Sequence, residues 1–129
     1  MACQHRGKVK DLKLMANQIR RDVVEMIYRA NAGHPGGSLS CVDLVTALYF
    51  AVMRLDPKRP DWPDRDRFIM SKGHGCPTWY AALAHRGFFP REELWTLRQH
   101  ESILQGHPDM NKTPGVDMTS GSLGHGLSA

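Results

Sequence analysis

Apolar residues recur at three- and four-residue steps through Leu12, Met15, Ile19, Val23, Met26, Ile27 and Ala30. Such a stripe predicts one amphipathic helix over about residues 9–31, with its arginines and lysines on the opposite face. Asn31-Ala32-Gly33 ends the pattern, and Pro35 prevents its return. After residues 34–40, the positions Val42, Leu44, Val45, Leu48, Tyr49 and Val52 are apolar nearly all round, which predicts a buried second helix. Ser40, with Asp43 three residues later, reads as its capping box. Residues 54–67 mix charges with Pro57, Pro60 and Pro63 and predict a surface connection.

Phe68-Ile69-Met70 is a short apolar run that reads as a buried strand. It enters Ser71-Lys72-Gly73-His74-Gly75, and residues 78–86 then look helical until Gly87 stops them. Pro90-Arg91-Glu92-Glu93 opens another helix, with proline in its first turn and acids at its positive end. Residues 99–119 show no period, and a loop of about twenty residues is long enough to suggest a function. From Gly121 onward a glycine turn enters a helix that the chain does not complete.

The chain has 129 residues, enough for at most one ordinary domain and without an internal boundary. Its composition, 41% hydrophobic and 23% charged, is that of a globular protein and excludes a disordered tail. No apolar run approaches the ~20 residues of a membrane span, and no signal-like segment opens the chain, so a cytoplasmic protein is expected. Three cysteines without a C-x-x-C pair exclude a disulfide framework. Cys41 and Cys76 are expected to pack as small hydrophobes. The formal charge of +4 arises wholly in the first thirty residues, where seven Lys and Arg face three acids. These bases are not interleaved with aromatics, so a solvated helix face is expected and no nucleic-acid partner.

Four histidines stand beside glycine in punctuating sequence: His34, His74, His107 and His125. Glycine lets a backbone approach a ligand, and imidazole donates or accepts a proton near neutral pH. A strand, glycine turn and helix at residues 68–78 would place unpaired N–H groups beside Lys72 and His74, ready for an anion. The bland alternative there is an ordinary turn. His34, His74 and His107 could otherwise converge on zinc, but the spacing that signals such a site is missing. Gly121, Gly124 and Gly126 read G-x-x-G-x-G rather than the dinucleotide fingerprint, and no G-x-S-x-G or H-E-x-x-H occurs. Trp79 and Trp95 are read as core or interface, and His5, His85 and His100 as facing solvent.

Four blocks carry a resemblance: Gly33-His34-Pro35-Gly36-Gly37-Ser38, Asp66 to His74, Gly106-His107-Pro108, and Pro114 to Gly126. In order and spacing they resemble the N-terminal part of transketolase, most of all the N-terminal subunit of two-subunit bacterial and archaeal enzymes. The resemblance implies an α/β fold that binds thiamine diphosphate, a parallel sheet with helices on both faces, incomplete in this chain. It also implies transfer of a glycolaldehyde unit from a ketose phosphate to an aldose phosphate, as in the pentose phosphate pathway. Carried over by motif, His34 and His107 become catalytic residues that contact substrate hydroxyls. His74 becomes a diphosphate contact, and Gly121, Ser122 and Leu123 lie along the aminopyrimidine.

The Gly-Asp-Gly…Asn segment that holds Mg²⁺ in the family follows this region, so the metal ligands are expected outside these residues. The pyrimidine-activating carboxylate is likewise expected in a C-terminal half or subunit, within a homo- or hetero-oligomer. The chain is then expected to be a truncated piece, inactive by itself and unable to hold the cofactor tightly. Alternatives are dihydroxyacetone synthase, deoxyxylulose-phosphate synthase, or a degenerate fragment that only binds a partner. The family's glutamine in the last block is replaced by His125, which also hydrogen-bonds.

Overall fold

The computed structural model describes residues 2–129, with side chains from residue 8 onward. Helix α1 (Ala2–Ala30) runs seven residues further toward the N-terminus than its apolar stripe requires. Ala16, Ile19, Val23 and Met26 are buried along one face, the spacing that a helix turns inward. Asn31 ends it in the left-handed region at φ 47°, where its short amide side chain is tolerated.

The second helix is interrupted. A short helix α2 (Pro35–Leu39) precedes α3 (Val42–Ala47), which widens into a π-helical turn over Leu48–Val52. The expected capping box does not form, because both of its members are engaged elsewhere. The Ser40 hydroxyl donates to the Gly37 carbonyl at 3.2 Å, and Asp43 pairs with Arg20 of α1. Val42, Val45 and Tyr49 are buried, whereas Leu44 and Val52 stay exposed, so this helix has an open face after all.

Helix α4 (Cys76–Arg86) is buried continuously from Cys76 to Ala84, with Pro77 in its first turn and Gly87 as its left-handed stop at φ 89°. Its Trp79 donates an indole hydrogen bond to the Tyr49 hydroxyl at 2.5 Å inside the core. Phe68 stands edge-on to both rings, with centroids 5.1 Å from Trp79 and 5.7 Å from Tyr49. Cys41 and Cys76 are buried and free, packed as small hydrophobes.

Two expected elements take other forms. Among the described residues no β-strand occurs, and residues 68–70 form an irregular segment. Its polar groups go to side chains instead. The Phe68 N–H donates to Asp117 Oδ2 at 2.8 Å, and the Met70 carbonyl accepts from the Ser120 hydroxyl at 2.9 Å. The segment opened by Pro90 is a 3-10 helix over Arg91–Thr96, whose last hydroxyl donates to the Glu93 carbonyl at 2.8 Å. No helix among the described residues is long and apolar enough to cross a membrane.

His85 does not face solvent as expected. At the end of α4 its Nε2 lies 2.7 Å from Asp22, an α1 carboxylate that is 1% exposed. Arg91 holds the same carboxylate through Nε at 3.1 Å and Nη2 at 2.5 Å, and Gln18 adds a bond at 3.0 Å. His100 is exposed, and the side chain of His5 lies outside the described residues.

Burial by itself would raise the Asp22 pKa. The hydrogen bonds from His85, Arg91 and Gln18 outweigh it and hold the group at about 2, below the ordinary 3.8. A depressed carboxylate adds stability above its unfolded pKa and loses it as pH falls toward its folded one. Thermal unfolding followed by circular dichroism should therefore show a stability loss between pH 4 and pH 2 worth about 2 kcal/mol from this group. Asp22→Asn should lose about the same at pH 7 and flatten that acid limb; an unchanged limb would remove Asp22 as its cause.

Candidate functional site

Three loops meet at the start of α4. The first carries His34, which precedes α2 and accepts the Ser38 N–H on its carbonyl at 2.9 Å. The second is the 3-10 turn Gly73–Gly75, which leads directly into α4 and carries His74. The His34 and His74 rings meet edge-on, with centroids 5.1 Å apart. The third is residues 106–121, whose His107 ring comes within 3.8 Å of where a Cβ on Gly121 would stand.

Two glycines make this convergence possible. A Cβ on Gly37 would lie 2.8 Å from His74 Cδ2 and 2.9 Å from its Nε2, so the imidazole rests on bare backbone. A Cβ on Gly73 would lie 2.7 Å from the Ser120 carbonyl and 3.2 Å from the Gly121 Cα, so here two main chains touch. Ser120 is the pin of the assembly. It is buried, its hydroxyl bonds the Met70 carbonyl, and its N–H donates to the Pro108 carbonyl at 3.3 Å. The His107 loop and the His74 turn are thereby tied to the same residue.

Lys72 closes the other side. Its ammonium donates to the Gly37 carbonyl and to the Ser40 hydroxyl, the latter at 2.8 Å. The turn bearing His74 is thus fastened to the helix that follows His34. Lys72 was expected beside an anion; its bond to Ser40 was not, because nothing local in sequence pairs positions thirty-two residues apart. Beneath the loops Asp117 bonds the Phe68 N–H, and Arg65 Nη2 stands 2.5 Å from its Oδ1 without an aligned hydrogen bond. That carboxylate is buried and ion-paired with Arg65.

Chemically the cluster offers exposed imidazoles at His34 and His107, a half-buried one at His74, and an ammonium. These groups receive hydroxyls and oxyanions and can exchange protons with them. The Cys76 thiol is no nucleophile here. Burial pushes it up to about 12, and the thiol's donation to the Gly106 carbonyl at 3.3 Å also favours the protonated form. Among the described residues no three His, Cys, Asp or Glu side chains stand close enough to hold a metal ion, so the zinc alternative has no structural support. Gly121, Ser122, Leu123, Gly124 and His125 are exposed. Leu123 shows 70% of its surface, and Ser71 anchors this end by taking the Gly124 N–H on its carbonyl at 3.0 Å.

The described residues form a helix-rich assembly with glycine loops gathered at the N-terminus of α4, and comparison with known proteins gives the family. The model of the transketolase thiamine diphosphate-binding domain matches residues 12–129, and the chain belongs to that family. It is 52% identical, over 92% of its length, to the 6-deoxy-6-sulfo-D-fructose transketolase subunit SqwG of Clostridium sp. strain MSTE9. It is 47% identical, over 94% of its length, to one subunit of the apulose-4-phosphate transketolase of Phocaeicola vulgatus. The chain spans 43% of the length of each of these curated relatives. Among solved structures, transketolase from Leishmania mexicana superposes with a TM-score of 0.86 at 38% identity, over 91% of this chain and 18% of that one. The enzyme from Campylobacter jejuni gives 0.82 at 33% identity, over the same shares.

The glycine contacts give a graded prediction. Gly36→Ala should be tolerated, since nothing lies within 4 Å of the added methyl. Gly37→Ala should displace the flexible His74 ring and abolish its ring-to-ring nuclear Overhauser effect with His34 while leaving the fold standing. Gly73→Ala must push apart a pair of main chains and should cost about 1–3 kcal/mol in chemical denaturation. Equal stability for all three variants would show that the loops do not approach as described.

Proposed function

We propose that this chain supplies the imidazole-bearing portion of a transketolase site, in an enzyme that moves a glycolaldehyde unit from a ketose phosphate to an aldose phosphate. The observation that carries the reading is the meeting of His34 and His74 above Gly37, with His107 brought to Gly121 by the Ser120 pin. All of these residues lie inside the matched family region.

The cluster fits a thiamine diphosphate cofactor. Bare glycine backbone at Gly37 and Gly73 admits close approach, and Lys72 and His74 supply donors with no free carboxylate shown against them. His74 would bond a diphosphate oxygen, while Gly121, Ser122 and Leu123 would offer main chain along the pyrimidine. When bound, the cofactor supplies the carbon nucleophile and electron sink that a two-carbon transfer requires. His34 and His107 are assigned to the sugar hydroxyls. Each would orient a hydroxyl and hold or return its proton as the carbon–carbon bond breaks and reforms. Their exposure suits residues that await a substrate.

Magnesium would bind through residues outside this chain, since the imidazole loops offer no oxygen-ligand set. A parallel sheet would come with the remainder of the domain, under which the 68–70 segment would lie. The two curated relatives are both named as subunits, which supports a separate C-terminal polypeptide and a mixed oligomer. Free, buried thiols at Cys41 and Cys76 accord with the cytoplasm.

A chimera tests this reading. Residues 12–129 replace the matching segment of the Clostridium protein, the hybrid is assembled with its partner, and transfer from a ketose phosphate is assayed. His34→Ala and His107→Ala should each lower kcat about a hundredfold, within the range of a lost general acid or base. His74→Ala should raise the thiamine diphosphate concentration at half-saturation more than it lowers kcat. An active chimera whose rate ignores His34 and His107 would overturn the assignment. The isolated chain should bind thiamine diphosphate and Mg²⁺ more weakly than micromolar.

A further inference from the structure

A cleft of about 450 Å³ opens between α1 and the Arg91–Thr96 turn. None of its walls comes from the imidazole loops. Arg21, Asp22, Glu25 and Arg29 line it from α1, and Arg91 and Trp95 from the opposite side. The Arg29 and Arg91 guanidinium carbons stand 5.0 and 5.2 Å from the Trp95 ring centroid, so one indole braces two cations.

Each of those guanidiniums is gripped by one edge. Asp22 takes Nε and Nη2 of Arg91, leaving Nη1. Glu25 takes Nε of Arg29 at 2.6 Å, leaving both terminal nitrogens. Among the described residues no acceptor meets the Arg21 guanidinium. Both Asp22 oxygens are therefore engaged and Glu25 is paired through one of its two, while unused N–H donors from three arginines border one concave space. Such an arrangement selects its guest. A cation meets three positive groups, and an apolar molecule finds a largely polar wall. A small oxyanion instead finds two guanidiniums, Arg29 and Arg91, already oriented by their carboxylate partners, with Arg21 beside them, which limits the ordering cost of binding. The volume falls in the range of small-molecule sites.

We propose that this cleft binds a phosphate-type oxyanion carried by a small metabolite, held by Arg21, Arg29 and the free edge of Arg91 beside Trp95. The buried Asp22 cluster behind Arg91 makes that guanidinium rigid and couples an occupied cleft to the packing of α1 on α4.

Inorganic phosphate is the probe, titrated into the full chain at constant ionic strength with chloride as the balancing anion. The three tryptophan indole N–H signals, from Trp62, Trp79 and Trp95, are followed by nitrogen–proton correlation spectra. The expected result is a saturable shift of the Trp95 signal alone. Arg21→Ala should weaken binding about tenfold, the scale of one lost charge-assisted hydrogen bond. Arg29→Lys retains the pairing charge for Glu25 but removes the fork, and should weaken binding by a comparable factor. Neither side chain is in the core, so both variants should unfold at the parental temperature.

If Arg29→Lys unfolds early, Arg21→Ala carries the test. No saturable shift, an equal shift with chloride, or full affinity in Arg21→Ala would each overturn the proposal. An oligo-glutamate peptide is titrated in parallel. Should it bind far more tightly than phosphate and through the same arginines, the cleft is a docking surface for an acidic polypeptide and the metabolite assignment falls.

Discussion

Ser120 holds the functional end of the molecule together. It is one buried residue whose hydroxyl caps the Met70 carbonyl, whose N–H reaches the Pro108 carbonyl, and whose own carbonyl lies against Gly73. Remove those three contacts and the His107 loop is held to the start of α4 only near Gln105 and Gly106, through Cys76 and Tyr80. The contacts are short-range and directional, so they set position more strictly than apolar packing would. They also explain why Gly73 must lack a side chain, since the space a methyl needs is occupied by main chain that cannot swing away.

Behind this junction lies a division of labour. Helix α4 has no polar face through most of its length and is enclosed by α1, α3 and the Arg91–Thr96 turn. A helix so enclosed cannot carry polar chemistry along its sides and can offer it only at its ends. At one end Gly73–Gly75 presents His74; at the other His85 meets Asp22. Both ends therefore hold an imidazole, but with opposite fates. One is shared with exposed loops, the other consumed by a buried carboxylate that already has two further partners.

What the sequence revealed follows the same division. The apolar stripe of α1, the stop at Gly87 and the surface course of residues 54–67 are local properties, and each was legible. So was the nearness of His34 to His74, because glycine beside histidine is a local sign of exposed backbone near a polar ring; His107 is placed only against Gly121. Three of the errors are errors of partnership. Phe68-Ile69-Met70 has the composition of a strand, yet periodicity reports burial and says nothing of which groups will take the backbone bonds; Asp117 and Ser120 took them. Ser40 and Asp43 have cap spacing, yet Lys72 and Arg20 outcompeted the helix end for their side chains. His85 looked like a surface residue because its carboxylate partner lies sixty-three positions away.

The cross-links between loops bear on how such a site stays ordered. Ser120 to Met70 and Pro108, Phe68 to Asp117, and Ser71 to Gly124 join segments that lack regular structure of their own, and Lys72 ties one of them to α2 through Gly37 and Ser40. Each net hydrogen bond contributes only about 1 kcal/mol, less than the backbone entropy of ordering a single loop residue at the upper end of its range. No one link can therefore order its loop. Order comes from their sharing of the same few residues with the buried start of α4, so that the entropy of each loop is offset jointly with the core. Loops arranged in this way keep main chain exposed for a ligand at Gly121 to Leu123 while the residues beneath stay fixed, which is the condition a preorganised binding surface has to meet.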